Sequence, residues 1–169
     1  MAKNAAYYGL KLKEKEKEIK ILQYIAETIS YNWNLKDILA SIIKIVSKYT
    51  SSDSCFIYLV DDGVLTLQAS QNPHRAELGR IIMKKGEGIT GWVARHKKTA
   101  IISSGAYNDE RFKFFNMLPE DKYEAFLSIP VVFNDHIVGV INIQHKKKKR
   151  YDKEKVTFLE TIAKQVGGA

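Results

Sequence analysis

Apolar residues in the first fifty positions recur every three or four residues, which is the spacing of α-helices. Residues 10 to 33 predict one long helix, with Lys and Glu on either side of a narrow apolar seam. The seam consists of Ile19, Leu22, Ala26, Ile29 and Trp33. Such a seam favours the pairing of two helices, and hence a homodimer, although the same side chains can pack on the rest of the domain.

A second helix is predicted from residue 34 to about residue 50, where a broader apolar face follows Asn34 as the N-cap. The apolar period then shortens to that of strands. Strands are predicted over 54–60, 64–70, 81–84, 99–102, 126–133 and 136–145. A short helix is predicted over 89–96, a final helix over 152–166, and a long irregular connection over 103–124. Tight turns at Asp61-Asp62-Gly63 and Asn134-Asp135 divide four of these strands into two hairpins.

The order of these elements indicates an α+β fold. Two hairpins predict a central antiparallel sheet, and helices at both ends of the sequence predict a helical layer on one face of it. We expect residues 1–33 to form an N-terminal helix for dimerisation or signalling, and residues 34–169 to form the domain proper.

The segment Gly86-Glu87-Gly88-Ile89-Thr90-Gly91 matches the G-x-G-x-x-G pattern of nucleotide-binding loops. Such a loop requires a crossover helix of a dozen or so residues and an acidic residue at the next strand, and this sequence has neither. The glycines are better explained by backbone geometry. Gly86 and Gly88 allow a sharp turn out of the strand, and Gly91 allows close packing.

Length and charge narrow the class of protein. The 169 residues suit one domain with a terminal extension, and no apolar run is long enough to span a membrane, so a cytoplasmic protein is expected. The net charge of +8 arises in residues 1–20 and in the run KKKKR at 146–150. The run is interpreted as a solvated loop, with weak attraction to phosphate or an acidic partner as the alternative. Nucleic-acid binding is not expected.

Catalytic chemistry has little support in the sequence. Cys55 is the one cysteine, lies in an apolar strand and is expected to be a buried core residue. The four histidines lack the spacing of metal ligands, and no G-x-S-x-G nucleophile motif is present. We therefore expect no enzyme and no metal site, and the sequence assigns no cofactor, with a haem site that uses one of the histidines left open.

Several segments resemble GAF domains when taken together. They are GEGITGWVARHKKTAII (86–102), YNDERF (107–112), FLSIPVVFNDHIVGVINI (126–143) and FLETIAKQVGGA (158–169). The resemblance implies an antiparallel sheet with terminal helices on one face, and a small-molecule pocket enclosed by short helices and the long loop on the other. GAF domains are typically sensory modules that dimerise through helices continuing into an output domain. The resemblance therefore implies an output domain beyond Ala169.

The resemblance places a lid over the pocket at residues 86–93 and 107–115. The candidate ligand-binding residues are Tyr58, Trp92, Tyr107, Asn108, Asp109, Arg111, Phe112, Phe115 and Ser128. Aromatic walls with a few directed polar groups suit a small-molecule site. Alternatively, Asp109 and Arg111 pair with each other, and the phenylalanines are plain core.

Two functions remain open at this point. The first is a dimeric sensor of an unidentified small molecule, and the second is a ligand-free dimerisation scaffold. The segment NDERF matches only part of the motif of cyclic-nucleotide-binding GAF domains. Cys55 alone cannot form the disulfide of family members that reduce methionine sulfoxide, nor does its strand position suit pigment attachment.

Overall fold

The computed structural model describes residues 2–31, 34–71, 77–115 and 122–168. Four helices and six strands alternate much as the periodicity predicts. In chain order they are α1 (Ala2–Tyr31), α2 (Leu35–Thr50), β1 (Ser54–Asp61), β2 (Val64–Ser70), β3 (Ile82–Lys84), α3 (Gly88–His96), β4 (Ala100–Ile102), β5 (Ala125–Phe133), β6 (His136–His145) and α4 (Lys153–Gly167). One 3-10 turn, Ala106–Asn108, lies in the long connection.

The strands form one antiparallel sheet in the order β3-β2-β1-β6-β5-β4. Both predicted hairpins are present. Their two-residue turns take positive φ at each central position, 45° and 77° at Asp62 and Gly63, and 45° and 61° at Asn134 and Asp135. This mirror-image turn matches the twist of the flanking strands, so short polar residues and glycine are favoured there.

The helix boundaries follow from their caps. The Asn34 side chain accepts a hydrogen bond from the backbone N–H of Lys36 at 3.0 Å, and the Asp152 carboxylate accepts one from Lys155 at 2.8 Å. Helix α1 begins earlier than the predicted residue 10, because the run from Ala2 has good helix formers but no apolar periodicity to reveal it.

The helical layer covers one face of the sheet, as predicted. Helices α1, α2 and α4 pack together there, and Ile25 of α1 is completely buried among side chains from α2, α4 and the sheet. Within the described part of the chain, no helix is both long and apolar enough to cross a membrane.

Side-chain alternation divides the three central strands between two cores. Cys55 and Ile57 of β1 join the core under the helical layer, whereas Phe56 and Tyr58 join a second core on the opposite face. Strands β5 and β6 follow the same rule over Phe126–Val131 and Val140–Gln144, with odd-numbered residues under the helices and even-numbered residues on the opposite side. At the start of β6, next to the irregularity between Val131 and Val132, the order is reversed: Val138 packs under the helices and Ile137 on the opposite side. Because successive side chains point to opposite faces, the sheet separates the two cores by a single layer of backbone.

Candidate functional site

A small cavity lies on the face of the sheet opposite the helical layer, beneath α3 and the segment 111–115. Its volume is about 30 Å³, enough for one or two water molecules. It is lined by Phe56, Tyr58, Met83, Gly88, Ile89, Thr90, Phe112, Lys113, Phe115, Phe126, Asn142 and Gln144. Five of the twelve lining residues are aromatic, and polar side chains come from both sides, Asn142 and Gln144 from the sheet and Thr90 and Lys113 from the segments above it.

The glycine segment forms one rim of this cavity and behaves as its backbone geometry predicts. Gly86 and Gly88 have φ values of 97° and 67°, which favour glycine. A Cβ on Gly91 would lie 2.6 Å from the carbonyl oxygen of Lys84, so the third glycine permits the close approach of α3 to the end of β3. The segment thus turns the chain from a strand into the short helix that roofs the cavity.

A buried hydrogen-bonded chain crosses the site from strand β5 to helix α3. The Ser128 hydroxyl donates to Asn142 Oδ1 at 2.7 Å, and Asn142 Nδ2 donates to Thr90 Oγ1 at 2.7 Å. All three side chains are buried. Because buried polar groups are costly unless paired, this chain fixes α3 to the floor of the cavity.

Gln144 follows Asn142 on the same face of β6 and also lines the cavity. Its side chain is 4% exposed, and its Oε1 has no hydrogen-bond partner among the described residues. Most buried side-chain polar atoms in folded proteins have a partner, so this acceptor is an exception that needs a physical reason.

An ion pair connects the two segments that cover the cavity, which are residues 86–96 and 111–115 and are called the roof below. Lys113 Nζ donates to Glu87 Oε1 at 2.5 Å, and the other carboxylate oxygen, Oε2, accepts a hydrogen bond from the backbone N–H of Lys84 at 2.9 Å. Both interactions favour the charged carboxylate, and they hold the pKa of Glu87 below its usual value. The pair joins the glycine turn to the segment that carries Phe112 and Phe115.

A second cluster anchors the outer side of the same segment. Arg111 forms two hydrogen bonds to the Asp109 carboxylate, each 2.8 Å long, and its guanidinium lies 4.9 Å from the ring centroid of Trp92. Trp92 in turn stacks on His96 with ring centroids 4.4 Å apart. Because the guanidinium stabilises the charged form, the pKa of Asp109 is lowered.

The candidate ligand residues divide into three groups. Tyr58, Phe112 and Phe115 line the cavity, and Ser128 supports it through Asn142. Asp109, Arg111 and Trp92 form the outer cluster. Asp109 and Arg111 pair with each other there, which is the alternative that the sequence left open. Tyr107 and Asn108 are exposed, and the Tyr107 hydroxyl donates to Glu124 at 3.1 Å.

Sequence reasoning missed four polar lining residues: Thr90, Lys113, Asn142 and Gln144. The signal for two of them was present, because Asn142 and Gln144 are polar residues at alternate positions in an otherwise apolar strand. That pattern places both on one face.

Only part of the predicted seam of α1 is exposed to solvent, and the rest packs against the domain. Leu22 and Ile29 are partly buried and pack against the helical core. Ile19 is 55% exposed, and Ala26 is also exposed. Trp33 lies outside the described residues. The described residues contain no group of three or more His, Cys, Asp or Glu side chains placed to hold a metal ion.

Comparison with known proteins identifies relatives over most of the chain. The chain is 24% identical over 162 residues to the sensor histidine kinase YhcY of Bacillus subtilis (strain 168), covering 93% of this chain but only 43% of that relative. The GAF domain of a phosphoenolpyruvate-protein phosphotransferase from Coxiella burnetii superposes with a TM-score of 0.81 at 25% identity, covering 89% of this chain and 90% of that one.

An enzyme shares the fold as well. The free methionine-R-sulfoxide reductase of Neisseria meningitidis, solved with its substrate, superposes with a TM-score of 0.74 over 89% of this chain and 86% of that one, at 16% identity. Identity this low supports a common fold alone. The family model described as GAF domain matches residues 34–169, and the predicted resemblance is confirmed: the chain belongs to the GAF domain family.

Proposed function

We propose that this GAF domain is the sensory part of a regulatory protein and that it binds a small molecule in the cavity between the sheet and residues 86–115. The observation that carries the proposal is the buried, unpartnered Oε1 of Gln144 on the cavity floor. A ligand with an N–H or O–H donor would satisfy this acceptor, which otherwise costs about 1–3 kcal/mol of stability.

The walls define the rest of the ligand. Phe56, Phe112, Phe115 and Phe126 offer flat apolar surfaces, which suit an aromatic or compact aliphatic body. The present volume of about 30 Å³ is far below the several hundred Å³ of a typical ligand site. Binding therefore requires Phe112 and Phe115 to move outwards, which opens the Glu87–Lys113 pair. The ligand would thus select an open roof over a closed one.

The sheet offers a short route from the cavity to the helices. Asn142 and Gln144 lie on the cavity floor, while the adjacent Ile141 and Ile143 pack under α2 and α4. A shift of β6 on binding would change the packing of the terminal helices. We propose that α1 pairs with a second copy through the exposed Ile19 and Ala26, and that α4 leads to an output domain beyond Ala169.

We further propose that this domain is not itself a catalyst. Cys55 is completely buried in the core under the helices, and burial raises the pKa of its thiol to about 12. A protonated, inaccessible thiol is a poor nucleophile. Redox chemistry of the kind named for the Neisseria enzyme would have to use other groups.

The proposal can be tested by thermal melting against a panel of amino acids, 2-oxo acids, nucleobases and nucleosides. A ligand at a hundred times its Kd adds about 2.7 kcal/mol of stability, which is readily seen as a rise in Tm. Gln144→Met should abolish the rise while leaving the unliganded protein at least as stable. The matched control is Gln23→Met, at an exposed position of α1, which should respond like the wild type.

A compound that stabilises Gln144→Met as strongly as the wild type would show that it binds elsewhere, and the assignment of the cavity would be wrong. A panel without any stabilising compound would favour the second function, a ligand-free dimerisation scaffold. The near-filled cavity supports that alternative.

The two functions share the predicted dimer, which has its own test. Ile19→Glu with Ala26→Glu should give folded monomers in light scattering, because both positions are exposed in the protomer, and the Tm should fall only by the stability that dimerisation adds. Lys17→Glu, on the opposite side of α1, is the control and should stay dimeric. Persistence of the dimer in the double variant would exclude this seam as the interface.

A further inference from the structure

A second cavity lies on the helical side of the sheet, where the end of α2, the end of β6 and the start of α4 meet. Its volume is about 130 Å³. His145, the last residue of β6, and Tyr151 line it together with three cationic side chains, Lys149, Arg150 and Lys155. It therefore lies on the face of the sheet opposite the proposed sensing cavity and is built in part from the basic run 146–150.

The charged residues that line this cavity are all cationic, although Asp53 lies close enough to act on His145. None of its lining residues, all within the described part of the chain, carries a carboxylate. Lys155 is partly compensated, since its Nζ lies 3.7 Å from Asp152. Lys149 and Arg150 form no ion pair with any described residue. Two positive charges thus lie at the rim without a counterion among the residues that the structure describes.

Two buried polar groups lie in the wall of the same cavity. His145 is 5% exposed, and neither its Nε2 nor the hydroxyl of Tyr151 has a hydrogen-bond partner among the described residues. Their ring centroids are 5.9 Å apart. The pKa of His145 is lowered, mainly because the imidazole is buried and in smaller part because Lys149 is positively charged. An imidazole N–H and a phenol are both able to donate to an anion that enters from the rim.

We propose that this cavity is an oxyanion site that takes phosphate, either free or as the phosphoryl group of a small phosphate monoester. The planar fork of Arg150 matches two oxygens of a phosphoryl group, and Lys149 supplies a second charge. His145 and Tyr151 supply neutral donors from the wall. The site is separate from the sensing cavity and does not depend on the function proposed for it.

The site is tested by titrating the full chain with inorganic phosphate, and in a parallel arm with glycerol 3-phosphate, at constant ionic strength. Calorimetry should show saturable binding, and the imidazole NMR signals of His145 should shift while those of His96 and His136 do not. Tighter binding of glycerol 3-phosphate would identify the monoester as the source, and tighter binding of inorganic phosphate would identify free phosphate.

The run of basic residues supplies a matched control. Lys149→Ala with Arg150→Ala removes two charges from the cavity rim and should weaken binding at least about tenfold. Lys146→Ala with Lys147→Ala removes two charges from the same run outside the cavity, and should change the affinity by less than about twofold. Arg150→Lys keeps the charge without the fork and should give an intermediate loss.

All the substituted side chains are exposed, so the fold is expected to survive, and thermal melting of each variant checks it. Equal losses in the two double variants would show a diffuse attraction to the basic loop and would overturn the proposal. Titrations that never saturate, or that leave the His145 signals unmoved, would overturn it as well.

Discussion

Lys113 and Glu87 are separated by 26 residues in the chain, yet their side chains form a 2.5 Å ion pair across the mouth of the cavity. The pair joins the glycine turn before α3 to the segment that carries Phe112 and Phe115. It is the one charged contact seen between these two parts of the roof within the described residues. The ease with which the roof opens should therefore depend on it.

Glu87→Gln should loosen the roof. The neutral amide loses the charge attraction to Lys113, so amide hydrogen exchange at residues 111–115 should become several-fold faster. Global stability should fall by only about 0–1 kcal/mol, because both side chains are substantially exposed. Glu16→Gln on α1 is the control, and it should leave exchange in this segment unchanged. Unchanged exchange in Glu87→Gln would show that aromatic packing alone holds the roof.

Acid should weaken the outer cluster through Asp109. The hydrogen bonds from Arg111 lower the pKa of Asp109 in the folded protein below its unfolded value near 3.8. Its contribution to stability is therefore fully present above that value and is lost as the pH falls through the folded pKa.

Asp109→Asn should consequently lose less stability than the wild type between pH 5 and pH 2, by about 1 kcal/mol as measured in urea titrations. Asp62→Asn, at an exposed position of the turn between β1 and β2, serves as the comparison. A parallel acid limb in Asp109→Asn and the wild type would mean that the pair with Arg111 adds nothing to folding.

The Ser128–Asn142–Thr90 chain should show strong non-additivity. Asn142→Leu leaves two buried hydroxyls without partners and should cost about 2–4 kcal/mol in urea unfolding. Combining it with Ser128→Ala and Thr90→Val removes all the polar groups together and should recover much of that loss. If the triple variant is as unstable as the sum of the single changes, packing rather than polar pairing dominates here.

Gly91→Ala should be destabilising by about 1–3 kcal/mol, because its Cβ would meet the backbone of Lys84 and Gly86. Gly9→Ala, where a Cβ meets nothing within 4 Å, is the control and should be neutral or slightly stabilising. Equal melting temperatures for the two variants would show that α3 can move away from β3 at little cost.

The periodicity predicted every strand and helix of the described chain, and their boundaries lie within one or two residues except at the start of α1. Strands and amphipathic helices carry their pattern locally, and the caps at Asn34 and Asp152 mark where helices begin. The first turns of α1 carry no such pattern, since exposed Tyr7, Tyr8, Leu10 and Leu12 contact little of the domain.

The site was only partly predictable, because its key contacts join distant segments. Phe112 and Phe115, predicted as ligand-binding residues, line the cavity, and their contact with a ligand stays a prediction. The pairing of Glu87 with Lys113 depends on how the roof folds back, which no local pattern reports. Gln144 was overlooked because a polar residue in an apolar strand is informative only once its face is known, and the strand's alternation supplies that face.

The alternation of side chains between the two faces of the sheet has a consequence for how the sequence of such a domain can diverge. Phe56, Tyr58, Phe126, Asn142 and Gln144 line the cavity, whereas their neighbours in the chain, Cys55, Ile57, Leu127, Ile141 and Ile143, pack beneath the helices. In the sensing function proposed above, substitution at Gln144 would therefore alter which ligand the cavity binds without changing Ile143, which packs beneath the helical layer. Ligand specificity could then diverge between related proteins while the packing of the terminal helices stays the same.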